Sequence, residues 1–403
     1  MRITGQLLLA RDGRCELAPG WIRIADGHIS EVQLGEIRRD ADWGHANCLV
    51  TPGFIDAHVH LPQFDAIGAH GQPLLDWLQS VIFPAEALWN SVDYAAGMTD
   101  RAISDLLRAG TTGFAAYSTV HAESTRIALE IASNRGVQAW IGQALMDCGA
   151  PAQLIRPARQ LIQETADLIA QFPAGGRVAA AITPRFALSC SDQLLTECGV
   201  LARQTGALLQ THLSENLAEC QAVHERFKKD YVSVYNQFGL LTSKSILGHG
   251  IHLSQSEVQQ LSDSRSIVAH CPTANSFLRS GTMRLSHLQD NRVRIALGSD
   301  IGAGYEISMV RVARAMLEAA ATLGDDFPTA AEAFFAITQG NADLLGWSDT
   351  GRIHPGALAD LVLIEPNCQW RYGGADPLSR VLFSWDDRWI RGVWLRGKAV
   401  DGL

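Results

Sequence analysis

The stretch FIDAHVHLPQ, Phe54 to Gln63, is an apolar run interrupted by Asp56, His58 and His60. Such a run reads as a buried strand, and alternate residues on a strand point to the same face. His58 and His60 therefore aim their imidazoles in one direction, and two such nitrogens can chelate one cation. Other apolar runs carry the same kinds of group near their C-terminal ends. QTHLSEN has His212 and, three residues later, Glu215; LGHGIH has His249 between glycines; LGSDIGAG has Asp300 in a glycine-rich exit. Zinc takes imidazole nitrogen and carboxylate oxygen, and a catalytic zinc keeps one position for water. Ferrous iron suits the same ligands. A single H-x-H is weak by itself, Asp300 alone reads as a helix cap, and His212 alone reads as a hydrogen-bonded core residue. Their joint position at the ends of separate strands points to a metal centre.

These groups need a scaffold that brings strand ends together. Eight runs rich in Val, Ile, Ala and Leu recur: FIDAHVHL, TTGFAAYST, VQAWIGQAL, RVAAAITPRF, ALLQTHLSE, SILGHGI, SIVAHCPTAN and VRIALGSDIG. Amphipathic segments such as SVDYAAGMTDRAISDLLRAG and SMVRVARAMLEAAATL lie between or after them. Eight such units across residues 54–340 predict an α/β fold, a (β/α)8 TIM-type barrel whose chemistry sits at the C-terminal strand ends. A doubly wound open sheet competes, but no G-x-G-x-x-G follows the first run. Thr329 to Glu332, just after Pro328, reads as a capping box opening the last helix of this region. Residues 1–50 and 351–403 differ from the middle. Short alternating runs such as GWIRIADGHISEVQLG and IRGVWLRGKAV are broken there by Gly and Asp-Gly turns. They predict a small β-sandwich domain built from both termini, with residues 51–350 forming the barrel domain.

Composition narrows the partners. The 403 residues, 47% hydrophobic and 19% charged, are ample for a large core. A net charge of −9 without a dense Lys/Arg stripe excludes a nucleic-acid partner and favours a small neutral or cationic substrate. No apolar run is long enough for a membrane helix, and MRITGQLLLA lacks a signal-peptide core of adequate length. The eight cysteines form no C-x-x-C pair and read as reduced thiols of a cytoplasmic protein. Among the remaining histidines, His252 is expected at the surface or supporting the site from outside. His270 is expected to line the pocket near the seventh run. His28, His45, His121, His224, His287 and His354 read as structural or solvated. HAE at His121 to Glu123 mimics the H-x-E of a zinc deaminase of another fold, but the P-C-x-x-C that fold requires is absent.

PGFIDAHVH, HLSEN, GHG and GSD together resemble the metal-dependent amidohydrolase superfamily over nearly the whole chain. HVHLPQ, LLDWLQSVIFPAE, ITPRFALSCS, THLSEN, CPTANSFLRSG and GSDIGAG resemble its guanine deaminases, in the ATZ/TRZ-like branch. The resemblance implies one zinc per chain held by His58, His60, His212 and Asp300, with His249 also at the metal or on the reacting group. AITPRF offers no Lys for a carbamylated bridge, which implies a single metal. The resemblance further implies that Gln63, Arg185, Phe186 and Glu215 hold a purine base, together with His249 and Asp300, and that the chain forms a homodimer. The implied reaction is hydrolytic deamination of guanine to xanthine and ammonia by a metal-bound hydroxide. In that scheme Asp300 accepts the water's proton, Glu215 delivers one to a ring nitrogen and His249 stabilises charge on the attacking oxygen. Arg185 suits the carbonyl, Gln63 offers a donor and an acceptor to a ring edge, and Phe186 stacks on the base. Trp77 and Phe83 are expected either to close the pocket mouth or to pack as ordinary helix residues. The rivals are a deaminase of 8-oxoguanine, a pterin or an aminotriazine on the same scaffold, a cyclic-amide hydrolase with a second metal and a bridging Lys, and a scaffold protein that has lost its metal ligands.

Overall fold

The eight apolar runs form eight parallel strands, Phe54–His60, Thr111–Tyr117, Gln138–Leu145, Val178–Pro184, Leu209–Leu213, Ser245–His249, Ile267–His270 and Arg294–Leu297. They are hydrogen-bonded in chain order within one sheet. The computed structural model describes residues 1–324, 326–371, 374 and 376–401. Nearly every strand residue is buried, as a parallel sheet covered by helices on its outside requires. The sheet curls until its first and last strands meet, so the barrel is nearly closed. Asn341 spans that seam. Its Nδ2 donates to the carbonyls of Ile55 and Leu297, each at 2.8 Å, and its Oδ1 accepts from the Leu297 N–H at 3.0 Å. Beyond it the Asp300 N–H donates to the His58 carbonyl at 2.8 Å, which ties the two strand exits together.

The helices follow their sequence signals. Val92–Arg108 starts after Ser91, whose hydroxyl accepts from the Tyr94 N–H, and buries Ala95, Met98, Ala102, Ile103 and Leu106 at helical spacing. The Thr329/Glu332 capping box is formed and opens Ala330–Phe335. One expectation fails in part. SIVAHCPTAN is strand only over Ile267–His270; its second half is the short helix Pro272–Phe277. Pro272 at the first helical position lacks an N–H that a helix start leaves unpaired anyway, so the proline marks a new element.

Two glycines are required by close approach inside the barrel. A Cβ on Gly248 would stand 2.8 Å from His58 Cε1, and one on Gly298 would stand 2.6 Å from His58 Cβ. The sixth and eighth strands thus make room for the imidazole of the first, which is why GHG and GSD carry glycine just before or beside their polar residue.

The two chain ends do meet, but in one seven-stranded mixed sheet and not the expected sandwich, because all seven strands hydrogen-bond in a single series. Its order is Lys398–Ala399, Ile390–Leu395, Leu361–Ile364, Leu49–Pro52, Arg2–Arg11, Arg14–Ala25 and His28–Leu34. Leu361–Ile364 lies antiparallel to Leu49–Pro52, so the C-terminal strands are stitched onto the N-terminal ones. A separate apolar cluster that includes Ile3, Leu7, Ile22, Val50, Leu361 and Trp394 fills this sheet's own core. Among the described residues, no helix is long and apolar enough to cross a membrane.

Candidate metal centre and active-site cavity

His58 and His60 point from the first barrel strand toward His212 on the fifth and Asp300 just past the eighth. One ligand atom from each of these four residues lies within 4.8 Å of all the others. Asp300 Oδ1 is 3.4 Å from His58 Nε2 and 3.2 Å from His60 Nε2, and His60 Nε2 is 3.1 Å from His212 Nε2. His58, His60 and Asp300 are buried, and His212 is partly buried. Burial pushes the imidazoles toward their neutral forms, His58 down to about 4 and His212 well below its usual range, so their lone pairs are free. Burial works to raise Asp300, but the close imidazoles of His58 and His60 and the charge of His249 outweigh it and hold the carboxyl well below its usual value.

This donor set fits a divalent cation. His212 Nδ1 lies 2.6 Å from the backbone carbonyl of Arg185, which only accepts, so the ring proton sits on Nδ1 and Nε2 is left as a ligand. His58 Nε2 is buried with no hydrogen-bond partner among the described residues. A buried polar atom without a partner costs free energy unless another group satisfies it, and a cation at the centre of these four residues does so. Tyr117 stacks flat on His60, at 4.6 Å and 9°, and sets the plane of that ring.

The backbone is bent to aim these groups. Ser214, His249 and Asp300 have φ of 47°, 73° and 49°. Left-handed backbone in non-glycine residues costs about 1–3 kcal/mol each, and it gathers where function demands a direction. Here it marks three strand exits around one cavity.

A cavity at these strand exits is lined by His60, Gln63, Trp77, Arg185, Phe186, His212, Glu215, His249 and Asp300, with several apolar residues. His249 stands at the side of the four-donor cluster: its Nε2 is 3.8 Å from Asp300 Oδ2 and 3.4 Å from Glu215 Oε2. The opposing effects of burial and of the two carboxylates leave its pKa raised. Burial pushes the Glu215 carboxyl up to about 7, with His249 pulling it down, so Glu215 can carry a proton near neutral pH. Trp77 lines the cavity, but Phe83 does not. Phe83 is buried beneath the Arg185 guanidinium, 5.5 Å from the ring centre, so of its two expected places it takes ordinary packing and not the mouth.

Several supporting residues were not legible beforehand. Glu86, 1% exposed, binds Arg185 and Gln63 together. Its only sequence signal is a carboxylate alone among apolar neighbours in VIFPAEALW. Asn275 Oδ1 lies 2.9 Å from His249 Nδ1; the run holding Asn275 was read as strand, which hid it. Ser280 donates to Glu215 Oε1 at 2.8 Å, and its own carbonyl is 2.7 Å from His252 Nε2, so His252 does support the site from outside. Glu219 accepts from the Glu215 N–H at 3.1 Å and completes a capping box with Asn216, an N-x-x-E signal present in the sequence and overlooked. His270 is buried on the seventh strand but opens on a separate recess beside Thr273 and Asn275, away from the cation cluster.

Comparison with known proteins gives this geometry a family. The guanine deaminase of Escherichia coli (strain K12) is 33% identical over 410 residues, covering 99% of this chain and 91% of that protein. The human guanine deaminase is 31% identical over 372 residues, covering 87% and 82%. A guanine deaminase from C. acetobutylicum, solved with guanine bound in its active site, superposes with a TM-score of 0.92 at 28% identity over 99% of each chain. The family model for amidohydrolases matches residues 49–400, and the chain belongs to the amidohydrolase family.

Proposed function

We propose that this protein hydrolyses guanine to xanthine and ammonia, with one zinc ion held by His58, His60, His212 and Asp300. The observation that carries the reading is a single cavity that joins a three-imidazole, one-carboxylate cluster to a proton-bearing Glu215 and to the free edge of a buried arginine. Its support is the full-length similarity to guanine deaminases from bacteria to mammals.

A bound zinc ion acts as a Lewis acid and brings the pKa of water toward ~7. The chain's own residues do the rest. Water adds to C2 of guanine, the carbon bearing the exocyclic amine, and Asp300 takes its proton. The C2=N3 electron pair moves to N3, which Glu215 protonates. His249 Nε2 faces the oxygen that gains charge. The amine then takes the proton held by Asp300 and leaves as ammonia, while the C2 hydroxyl becomes a carbonyl and returns its proton to Glu215, giving xanthine with N3–H in place. Each acid/base role contributes ~10²–10⁴-fold. Arg185 donates to the O6 carbonyl, and Phe186 and Trp77 flank the flat ring. The eight free cysteines agree with a cytoplasmic location, and a homodimer rests on the family resemblance alone.

Ammonia release from guanine, 8-oxoguanine, adenine, cytosine and isoxanthopterin tests the proposal, with and without a chelator. Guanine is expected to be the best substrate, and chelation to abolish its turnover until zinc is restored. Equal or faster turnover of another ring, or activity that survives removal of the metal, defeats it.

A further inference from the structure

Gln63 and Arg185 both face the cavity, and both are anchored on the same carboxylate. Glu86 sits on the short helix Phe83–Ala87. Its two oxygens lie 2.6 and 2.7 Å from Arg185 Nη1, and Oε1 also accepts from Gln63 Nε2 at 3.0 Å. A carboxylate can only accept, so the Gln63 amide has one permitted orientation. Its NH2 end is committed to Glu86. Its Oε1 has no hydrogen-bond partner among the described residues, and neither do Arg185 Nε and Nη2. Gly302 closes over the amide: a Cβ there would stand 2.1 Å from Gln63 Cβ and 2.5 Å from Gln63 Oε1. Two cavity-lining side chains are thus held by one anchor, one showing an acceptor and the other showing donors.

We propose that Glu86 is a positioning residue that locks Gln63 as a hydrogen-bond acceptor and so makes the site selective for a lactam edge, a ring N–H beside a carbonyl. This rests on the deaminase reading above. In guanine that edge is N1–H with C6=O, and it lies on one side of C2 while N3 lies on the other, toward Glu215. Gln63 Oε1 takes the N1 proton, and the free Arg185 nitrogens donate to O6. A 2-aminopurine keeps the C2 amine and N3 but has a bare N1 and no carbonyl. It therefore sets a lone pair against Gln63 Oε1 and leaves the guanidinium donors unmatched. Rejection of this kind, through buried polar groups left without partners, is far stronger than a hydrophobic pocket can achieve.

The test is the ratio of kcat/KM for guanine to that for 2-aminopurine, in the zinc-loaded wild type, in Glu86→Gln and in Gln63→Leu. In Glu86→Gln, Arg185 takes the new amide's oxygen and its NH2 faces Gln63. Gln63 then turns over and shows its own NH2 to the ring. Guanine is expected to lose ~10-fold, chiefly in KM, while 2-aminopurine holds or gains, so that the ratio falls by ~10-fold or more. Gln63→Leu leaves the Arg185–Glu86 pair in place and removes the acceptor, and the same ratio is expected to fall. Zinc content and melting temperature are read on each variant, and if Glu86→Gln does not fold, Gln63→Leu decides. A wild-type ratio retained in the variant that folds overturns the role of Glu86. A wild type with no turnover of guanine overturns the deaminase reading itself and the Glu86 role with it; the two failures are distinct because the first shows only in the variants.

Discussion

The strand Val178–Pro184 carries an arginine at each end, and each is paired with a buried carboxylate. At its N-terminal end Arg177 Nη2 lies 2.8 Å from both oxygens of Asp360, its Nε donates to the Gly136 carbonyl at 2.6 Å, and its Nη1 reaches Gln138 Oε1 at 3.4 Å. Asp360 also accepts from the Arg396 N–H at 2.8 Å. Every guanidinium nitrogen there is engaged, and the pair joins the barrel to the terminal sheet. At the C-terminal end Arg185 spends only Nη1 on Glu86, and its other nitrogens face the cavity. Each pairs an arginine with a buried carboxylate, but one is saturated and the other is left open. A buried ion pair is weak evidence of stability in either case, because desolvation offsets much of the attraction. What separates a joint from a site is whether donors remain unspent.

That contrast can be attacked from both ends of the barrel. The largest effect is expected at the cluster itself: His212→Ala should lose stoichiometric metal and all measurable ammonia release, checked by metal analysis and turnover. Glu215→Gln should bind guanine and metal normally and react ~10²–10⁴-fold more slowly, seen as a fall in kcat with little change in binding. Next come the two arginines. Removing one partner of a buried pair costs about 3–5 kcal/mol, so Arg177→Ala and Arg185→Ala should both lower the melting temperature. Only Arg185→Ala should also lose ~10²-fold in kcat/KM for guanine while keeping its zinc. If Arg177→Ala loses activity to the same extent while still folded, the contrast between joint and site fails. The smallest effect is far from the cavity: Thr329→Ala removes a helix cap and should cost about 1 kcal/mol of stability with unchanged kcat/KM.

Much of this was written in local pattern. Runs rich in Val, Ile, Ala and Leu marked all eight strands, and the two-residue spacing of His58 and His60 put both rings on one face. The capping box at Thr329 and the joining of both termini in one β-region were equally legible, though not that this region is a single sheet. Other features were hidden for specific reasons. Asn275 sat in a run whose apolar start made the whole read as strand, although Pro272 was the signal that a helix begins. For Phe83 the sequence leaves both the pocket mouth and ordinary packing open, because a one-dimensional pattern does not say which side of a helix meets the cavity. The helical segment there changes to a π turn over Leu78–Ile82, between Trp77 and Phe83, and this shifts the faces of the residues that follow.

By itself the sequence determined which side chains could bind a cation and that they stand at strand ends, because strand periodicity and glycine placement are local properties. Only the tertiary structure decided that His249 stands beside rather than among the four converging donors, that Asn341 seals the barrel, and that Glu86 commits one end of Gln63. Each of these depends on distances between residues far apart in the chain, and a hydrogen bond exists only when donor and acceptor come within about 3 Å of each other.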